Sequence, residues 1–92
     1  MQVRYLASFE KSFDNLSQEN RIKVDEAVDE LLDFFMTRQR PSKGLGIKKL
    51  RKDFWEVRVG IKVRIFFELK DELITFILAG THDGIKKYLK AL

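Results

Sequence analysis

The 92-residue sequence has no cysteine, one proline and one histidine. Without cysteine there is neither a disulfide framework nor a thiolate metal site. With a lone histidine, a transition-metal cluster lacks ligands. The absence of cysteine fits a reducing compartment. No apolar run approaches the ~18 residues needed to span a bilayer. The opening segment MQVRYLASFEKSF lacks the long apolar run of a signal peptide. Gly44-Leu45-Gly46 is two glycines in a turn, without the context of a phosphate-binding fingerprint. A soluble, cytoplasmic protein with no membrane partner, no metal and no cofactor is the expectation.

What is present argues for a globular fold. Hydrophobic residues make up 45% of the chain, and eight are phenylalanine. The length predicts a single domain over residues 1–92, with a core that is small but sufficient without staples. Net charge is only +4, yet it is unevenly spread. Residues 1–36 carry four basic and eight acidic side chains, whereas residues 37–64 carry ten basic and two acidic. A concentrated basic segment is the electrostatic footprint of an anionic partner. The acids Asp25, Glu26, Asp29, Glu30 and Asp33 gather on one side of a helix and read as a solvated face.

Gln2–Ala7 alternates weakly and predicts a short strand. Ser8 is placed to cap a helix through Leu16, and Ser17 a longer one over Gln18–Thr37. Val24, Val28, Leu31 and Phe35 recur at helical spacing on the second. Arg40–Gly46 reads as a loop. Short β-rich runs follow at Ile47–Leu50, Phe54–Val59, Lys62–Leu69 and Leu73–Ala79, with Asp71-Glu72 as the turn between the last two. Gly80–Gly84 ends the sheet, and Ile85–Leu92 reads as a terminal helix. This pattern predicts an α+β fold: an N-terminal helical hairpin packed on a small, mostly antiparallel sheet, order β-α-α-β-β-β-β with a short C-terminal helix.

Side chains alternate across a strand. Trp55, Val57 and Val59 therefore share the core face with Val63, Ile65, Phe67 and Leu69. Phe54, Glu56, Arg58, Lys62, Arg64 and Phe66 fall on the other. A three-residue loop Val59-Gly60-Ile61 keeps these faces consistent and pairs Arg58 with Lys62, Glu56 with Arg64 and Phe54 with Phe66. Three cations then crowd one patch, offset only by Glu56. The Asp71-Glu72 turn pairs Phe67 with Phe76 and Ile65 with Leu78. It sets Arg64 beside Ala79 and Lys62 beside Thr81, which brings His82 to the cationic patch.

Such a patch suits metal-free phosphodiester chemistry on RNA, in which a 2′-hydroxyl attacks the adjacent phosphate. Arg64 and Arg58 would stabilise the added negative charge. His82 is the natural acid or base near neutral pH. Lys62, crowded by cations, is a second candidate base. Lys43, Lys48, Lys49, Arg51 and Lys52 are candidate phosphate contacts, which carry affinity without sequence choice. Phe54 and Phe66 are candidate base-stacking rings. Trp55 falls in the core by parity, and Tyr88 shares a helical face with Ile85, Leu89 and Leu92.

The segment FWEVRVGIKVRIFFELKDELITFILAGTHDG resembles the RelE/ParE superfamily of toxin–antitoxin toxins. Arg64-Ile65-Phe66-Phe67 is similar to that family's Arg-aliphatic-aliphatic-Tyr strand. Gly80-Thr81-His82 is similar to the Gly-Thr-His ending of the YafQ branch. The resemblance implies a ribosome-dependent mRNA endoribonuclease that blocks translation and is neutralised by a wrapping antitoxin. It also implies catalytic roles for Arg64, His82, Arg58 and Tyr88. Glu56 stands where RelE has a lysine. Arg58 and Lys62 stand where YafQ has a histidine and an aspartate, and Lys86 where it has its terminal aromatic. A partly uncovered face with Phe54, Phe66, Leu73 and Ile77 is the expected antitoxin surface. A ParE-like, non-enzymatic inhibitor of DNA gyrase and an inactive antitoxin-binding homologue are the alternatives.

Overall fold

The computed structural model describes residues 1–37 and 46–91. In chain order its elements are β1 (Gln2–Tyr5), α1 (Ala7–Asp14), α2 (Gln18–Thr37), β2 (Gly46–Arg51), β3 (Phe54–Val59), β4 (Val63–Lys70), β5 (Leu73–Gly80) and α3 (His82–Lys90). Among the described residues the strands form one five-stranded sheet, order β1-β5-β4-β3-β2. β1 runs parallel to β5, and the other neighbours are antiparallel. The expected α+β architecture is what the chain adopts. The loop expected over residues 40–46 falls almost wholly outside the described residues.

α2 follows from its sequence. The Asn20 N–H donates to Ser17 Oγ at 3.2 Å, so Ser17 caps the first turn. Val24, Ala27, Val28 and Leu31, at i, i+3, i+4 and i+7, are its buried stripe. α1 departs from expectation at its start. Leu6 holds the N-cap position without a side-chain bond. Ser8 instead donates to the Ile77 carbonyl at 2.6 Å, and Ser12 Oγ accepts from the Ala79 N–H at 3.0 Å.

Those two serines explain a feature of β5. The β4–β5 register runs Lys70↔Leu73 to Phe67↔Phe76, then shifts, so that Phe66 faces Leu78, Ile65 faces Ala79 and Arg64 faces Gly80. Ile77 is the extra residue of a bulge. A bulge disrupts the ladder locally, and here serine hydroxyls from α1 meet backbone groups at and beside it. The expected pairings of Ile65 with Leu78 and Arg64 with Ala79 are therefore wrong by one residue. The tight turn is as expected: Asp71 and Glu72 both adopt positive φ, 53° and 64°, as a primed hairpin turn requires.

The bulge also changes which side of the sheet β5 feeds. One core joins Ile74, Phe76 and Ala79 to Val57, Ile65 and Phe67 of the neighbouring strands and to Phe9, Val24 and Leu31 of the helices. A second core joins Ile77 and Phe66 to Ile85 of α3, with Phe54, Tyr88 and Leu89 packed against it. Both faces of the sheet are thus covered. Phe66 and Ile77, expected on a partly open face, are 0% and 4% exposed. Full burial of a side chain such as Phe66 contributes about 1.5–3 kcal/mol. That gain fixes α3, and with it His82, against the sheet.

Candidate functional site

The β3–β4 hairpin closes on Val59↔Val63, leaving Gly60-Ile61-Lys62 as the loop. Gly60 takes the positive φ of 76°. The expected register is thus off by two residues, which preserves the faces but changes every partner. Arg58 faces Arg64 rather than Lys62, and Glu56 faces Phe66 rather than Arg64. A directly opposed arginine pair is repulsive. Arg64 relieves it diagonally: its Nη1 donates to Glu56 Oε2 at 3.0 Å.

Glu56 is the residue the sequence reading undervalued. It is only 2% exposed, and its second oxygen lies 3.9 Å from His82 Nδ1. That is an electrostatic contact, longer than a hydrogen bond. A buried carboxylate thus stands between the arginine and the histidine. The available clue was its position: the lone acid among alternating cations on its face.

His82 opens α3, which starts three residues before the expected Ile85. Thr81 is the N-cap, accepting from the Gly84 N–H at 3.1 Å. Together Ile61, Lys62, Arg64, Thr81, His82 and Asp83 line a cleft of ≈ 280 Å³. Lys62, Arg64 and His82 therefore come together, with Arg58 next to Arg64 across the strands. The first turn of α3 lies at the same cleft, and a helix N-terminus favours negative charge.

On the other side of His82, a second cleft of ≈ 330 Å³ runs between β2 and α3. Leu50, Ile85 and Leu89 give it an apolar floor, and Lys48, Arg51, Lys86 and Lys90 line it with cations. Arg51 has a structural duty there, donating from Nη2 to the Leu89 carbonyl at 2.8 Å. It thereby satisfies a carbonyl at the end of α3.

The other expected site residues are dispersed. Lys49 stands over the Trp55 ring, with Nζ 5.7 Å from its centroid, and Trp55 packs against the first core. That is the opposite side of the sheet from His82. Lys52 is exposed in the β2–β3 turn, at a φ of 51°. Lys43 lies outside the described residues. Phe66 cannot stack a base, because Phe54 stacks on it at 5.4 Å and Tyr88 meets it edge-on at 5.6 Å. Phe54 is half-buried. Tyr88 belongs to the second core and lines neither cleft.

The fold has counterparts among solved structures. The toxin of the RelB-RelE antitoxin-toxin complex from Methanococcus jannaschii is 20% identical, with a TM-score of 0.72 over 92% of this chain and 96% of that one. The fold is that of the RelE-like type II toxins. YafQ from E. coli matches at 18% identity and a TM-score of 0.66, over 91% of this chain and 96% of its own. YoeB from Staphylococcus aureus, solved as a dimer, matches at 19% and 0.64, over 89% and 97%. No protein-family model and no curated protein sequence matches the chain. Among the described residues, no helix is long and apolar enough to cross a membrane.

Proposed function

We propose that residues 1–92 form one toxin domain of a type II toxin–antitoxin pair, acting in the cytoplasm as a metal-independent, ribosome-dependent mRNA endoribonuclease. The observation that carries this reading is the cleft shared by Lys62, Arg64 and His82, with Arg58 alongside. The RelE-like fold supports it, and the RelB-RelE complex supports an antitoxin as the partner.

In the proposed reaction the 2′-oxygen attacks phosphorus and loses its proton. The bond from phosphorus to the 5′-oxygen breaks, and that oxygen gains a proton. The products are a 2′,3′-cyclic phosphate and a 5′-hydroxyl. Charge builds on the phosphoryl oxygens, where Arg64, Arg58 and Lys62 act. His82 exchanges a proton through Nε2, since its Nδ1 edge is turned to the Glu56 carboxylate. Glu56 holds Arg64 and faces His82, so it sets the relation between charge stabilisation and proton transfer.

The test is a reconstituted translation system with new mRNA 5′ ends mapped by primer extension, with and without ribosomes. Wild type is expected to cut only on ribosomes. His82→Ala is expected to cut about 100-fold more slowly or less. Arg64→Lys is expected to lose a similar factor, because lysine keeps the charge beside Glu56 but not the planar fork. A folded wild type that makes no cuts overturns the nuclease reading. Inhibition of gyrase supercoiling by that same protein would then favour the ParE-like alternative.

A further inference from the structure

The ≈ 330 Å³ cleft between β2 and α3 has no part in the chemistry above, yet it shares a wall with it. His82 and Glu56 line it, and His82 also lines the ≈ 280 Å³ cleft. The two clefts therefore adjoin at His82. The second cleft differs in kind from the first. Its floor is aliphatic, from Leu50, Ile85 and Leu89, and its cations line the sides. Its single carboxylate, Glu56, is already paired with Arg64. An apolar floor has nothing to offer a phosphate. A nucleobase, with an apolar face and a charged backbone on either side, matches both parts.

Resting on the ribonuclease reading, we propose that this cleft is a nucleobase subsite for the residue adjoining the scissile phosphate. The base lies on Leu50 and Leu89, and Lys48, Lys86 and Lys90 take the neighbouring phosphates. Single-stranded RNA is recognised by splayed bases on stacking surfaces, most often aromatic, with cations on the backbone; here leucine side chains stand in for the rings. The volume suits a small ligand, since such pockets begin at about 300 Å³. The proposal brings Lys86, Leu89 and Lys90 of α3 into substrate binding. It also separates two groups of cations: those at the ≈ 280 Å³ cleft act on the reacting phosphate, and those at the ≈ 330 Å³ cleft act on its neighbours.

The experiment is a titration of methyl-labelled protein with a 2′-O-methyl tetraribonucleotide, which lacks the attacking hydroxyl. The Leu50 and Leu89 methyl resonances are expected to move upfield under the ring current of the base. The same oligonucleotide with an abasic residue at that step should leave them in place and bind about fivefold more weakly or worse. Lys86→Glu should weaken binding, whereas Lys11→Glu, on exposed α1, should not. Methyls that stay in place under saturating RNA overturn the subsite. So does a response to an acidic amphipathic peptide in the absence of one to RNA, which would make the cleft a protein groove. The translation assay keeps the two readings apart. Ribosome-dependent cuts with unmoved methyls remove only the subsite, whereas moved methyls without cuts overturn the nuclease reading and the subsite's place beside a scissile phosphate, leaving a plain nucleobase-binding cleft.

Discussion

The Glu56–Arg64 pair makes an asymmetric prediction about stability. Glu56 is 2% exposed, while the Arg64 side chain retains 21% of its accessible surface. Arg64→Met removes the cation and keeps most of the aliphatic stem. It strands a carboxylate that water barely reaches, with His82 beyond hydrogen-bond range at 3.9 Å. Breaking a buried pair in this way costs about 3–5 kcal/mol. The partial exposure of Arg64 puts the cost at the lower end, about 3 kcal/mol. Glu56→Gln removes the charge but keeps an amide oxygen that accepts from the guanidinium, and the Arg64 side chain is partly open to water. Its cost is the weakened bond, about 1–2 kcal/mol. For a chain of this size each kcal/mol moves Tm by about 4–8 °C. Arg64→Met should therefore melt at least about 12 °C below wild type, and Glu56→Gln should lose less. The double variant Glu56→Leu/Arg64→Met should recover most of the loss, because two apolar groups leave no stranded charge. Calorimetry on the four proteins decides the matter. If Arg64→Met melts within about 4 °C of wild type, or Glu56→Gln is the worse of the two, the account of a buried carboxylate held by one arginine is wrong.

Two further outcomes follow from other parts of the fold. Burial first, and then Asp29 and Asp25, hold the Tyr5 phenol above its ordinary pKa of 10.0. A raised folded value means that the native state binds the proton more tightly. The stabilisation is complete below pH 10.0 and is lost as pH rises through the folded value. In a Tyr88→Phe background, phenolate absorbance should give a Tyr5 midpoint above 10.0 that falls in Asp29→Asn; an unmoved midpoint refutes the Asp29 contribution. Asp71 and Glu72 both adopt positive φ in the β4–β5 turn; aspartate is tolerated there, so the cost of roughly 1–2 kcal/mol falls mainly on Glu72. The double substitution Asp71→Asn/Glu72→Gly should raise Tm by several degrees, and a fall would show that the native side chains contribute something the turn geometry does not reveal.

The elements with a local signal were legible. α2 follows from Ser17 and an apolar stripe, and the two-residue turn from its flanking strands. Register was harder for a physical reason. A strand pattern repeats every two residues, so a slip of two leaves every side chain on its expected face. Parity thus placed Trp55 and Val57 correctly and mispaired Arg58, Glu56 and Phe54. What decides the matter is closure of the loop on the apolar pair Val59↔Val63, with Lys62 left outside the ladder. The bulge at Ile77 carries no glycine or proline. It depends on Ser8 and Ser12, which lie 69 and 67 residues along the chain from their bonding partners. The covering of Phe66 by α3 is equally non-local, and that is why a ring buried in the second core reads in sequence as a platform for RNA.

The candidate site was legible for the same reason that its pairings were not. Arg58, Lys62 and Arg64 alternate along one hairpin, so any register with the right parity gathers them. His82 follows the strand beside Arg64, so a one-residue error along β5 still leaves it close. Glu56 needed the third dimension. In sequence it is one acid beside many bases, and it reads as an imperfect charge balance. In the fold it is the most deeply buried charged group on its face, and both Arg64 and His82 turn toward it. A surface built only to attract phosphate would be better without it, because every carboxylate weakens the field. Its place between Arg64 and His82 instead suits a site in which one cation must keep a fixed orientation and one imidazole must present a chosen edge. An anion-binding patch needs neither, and proton transfer needs both.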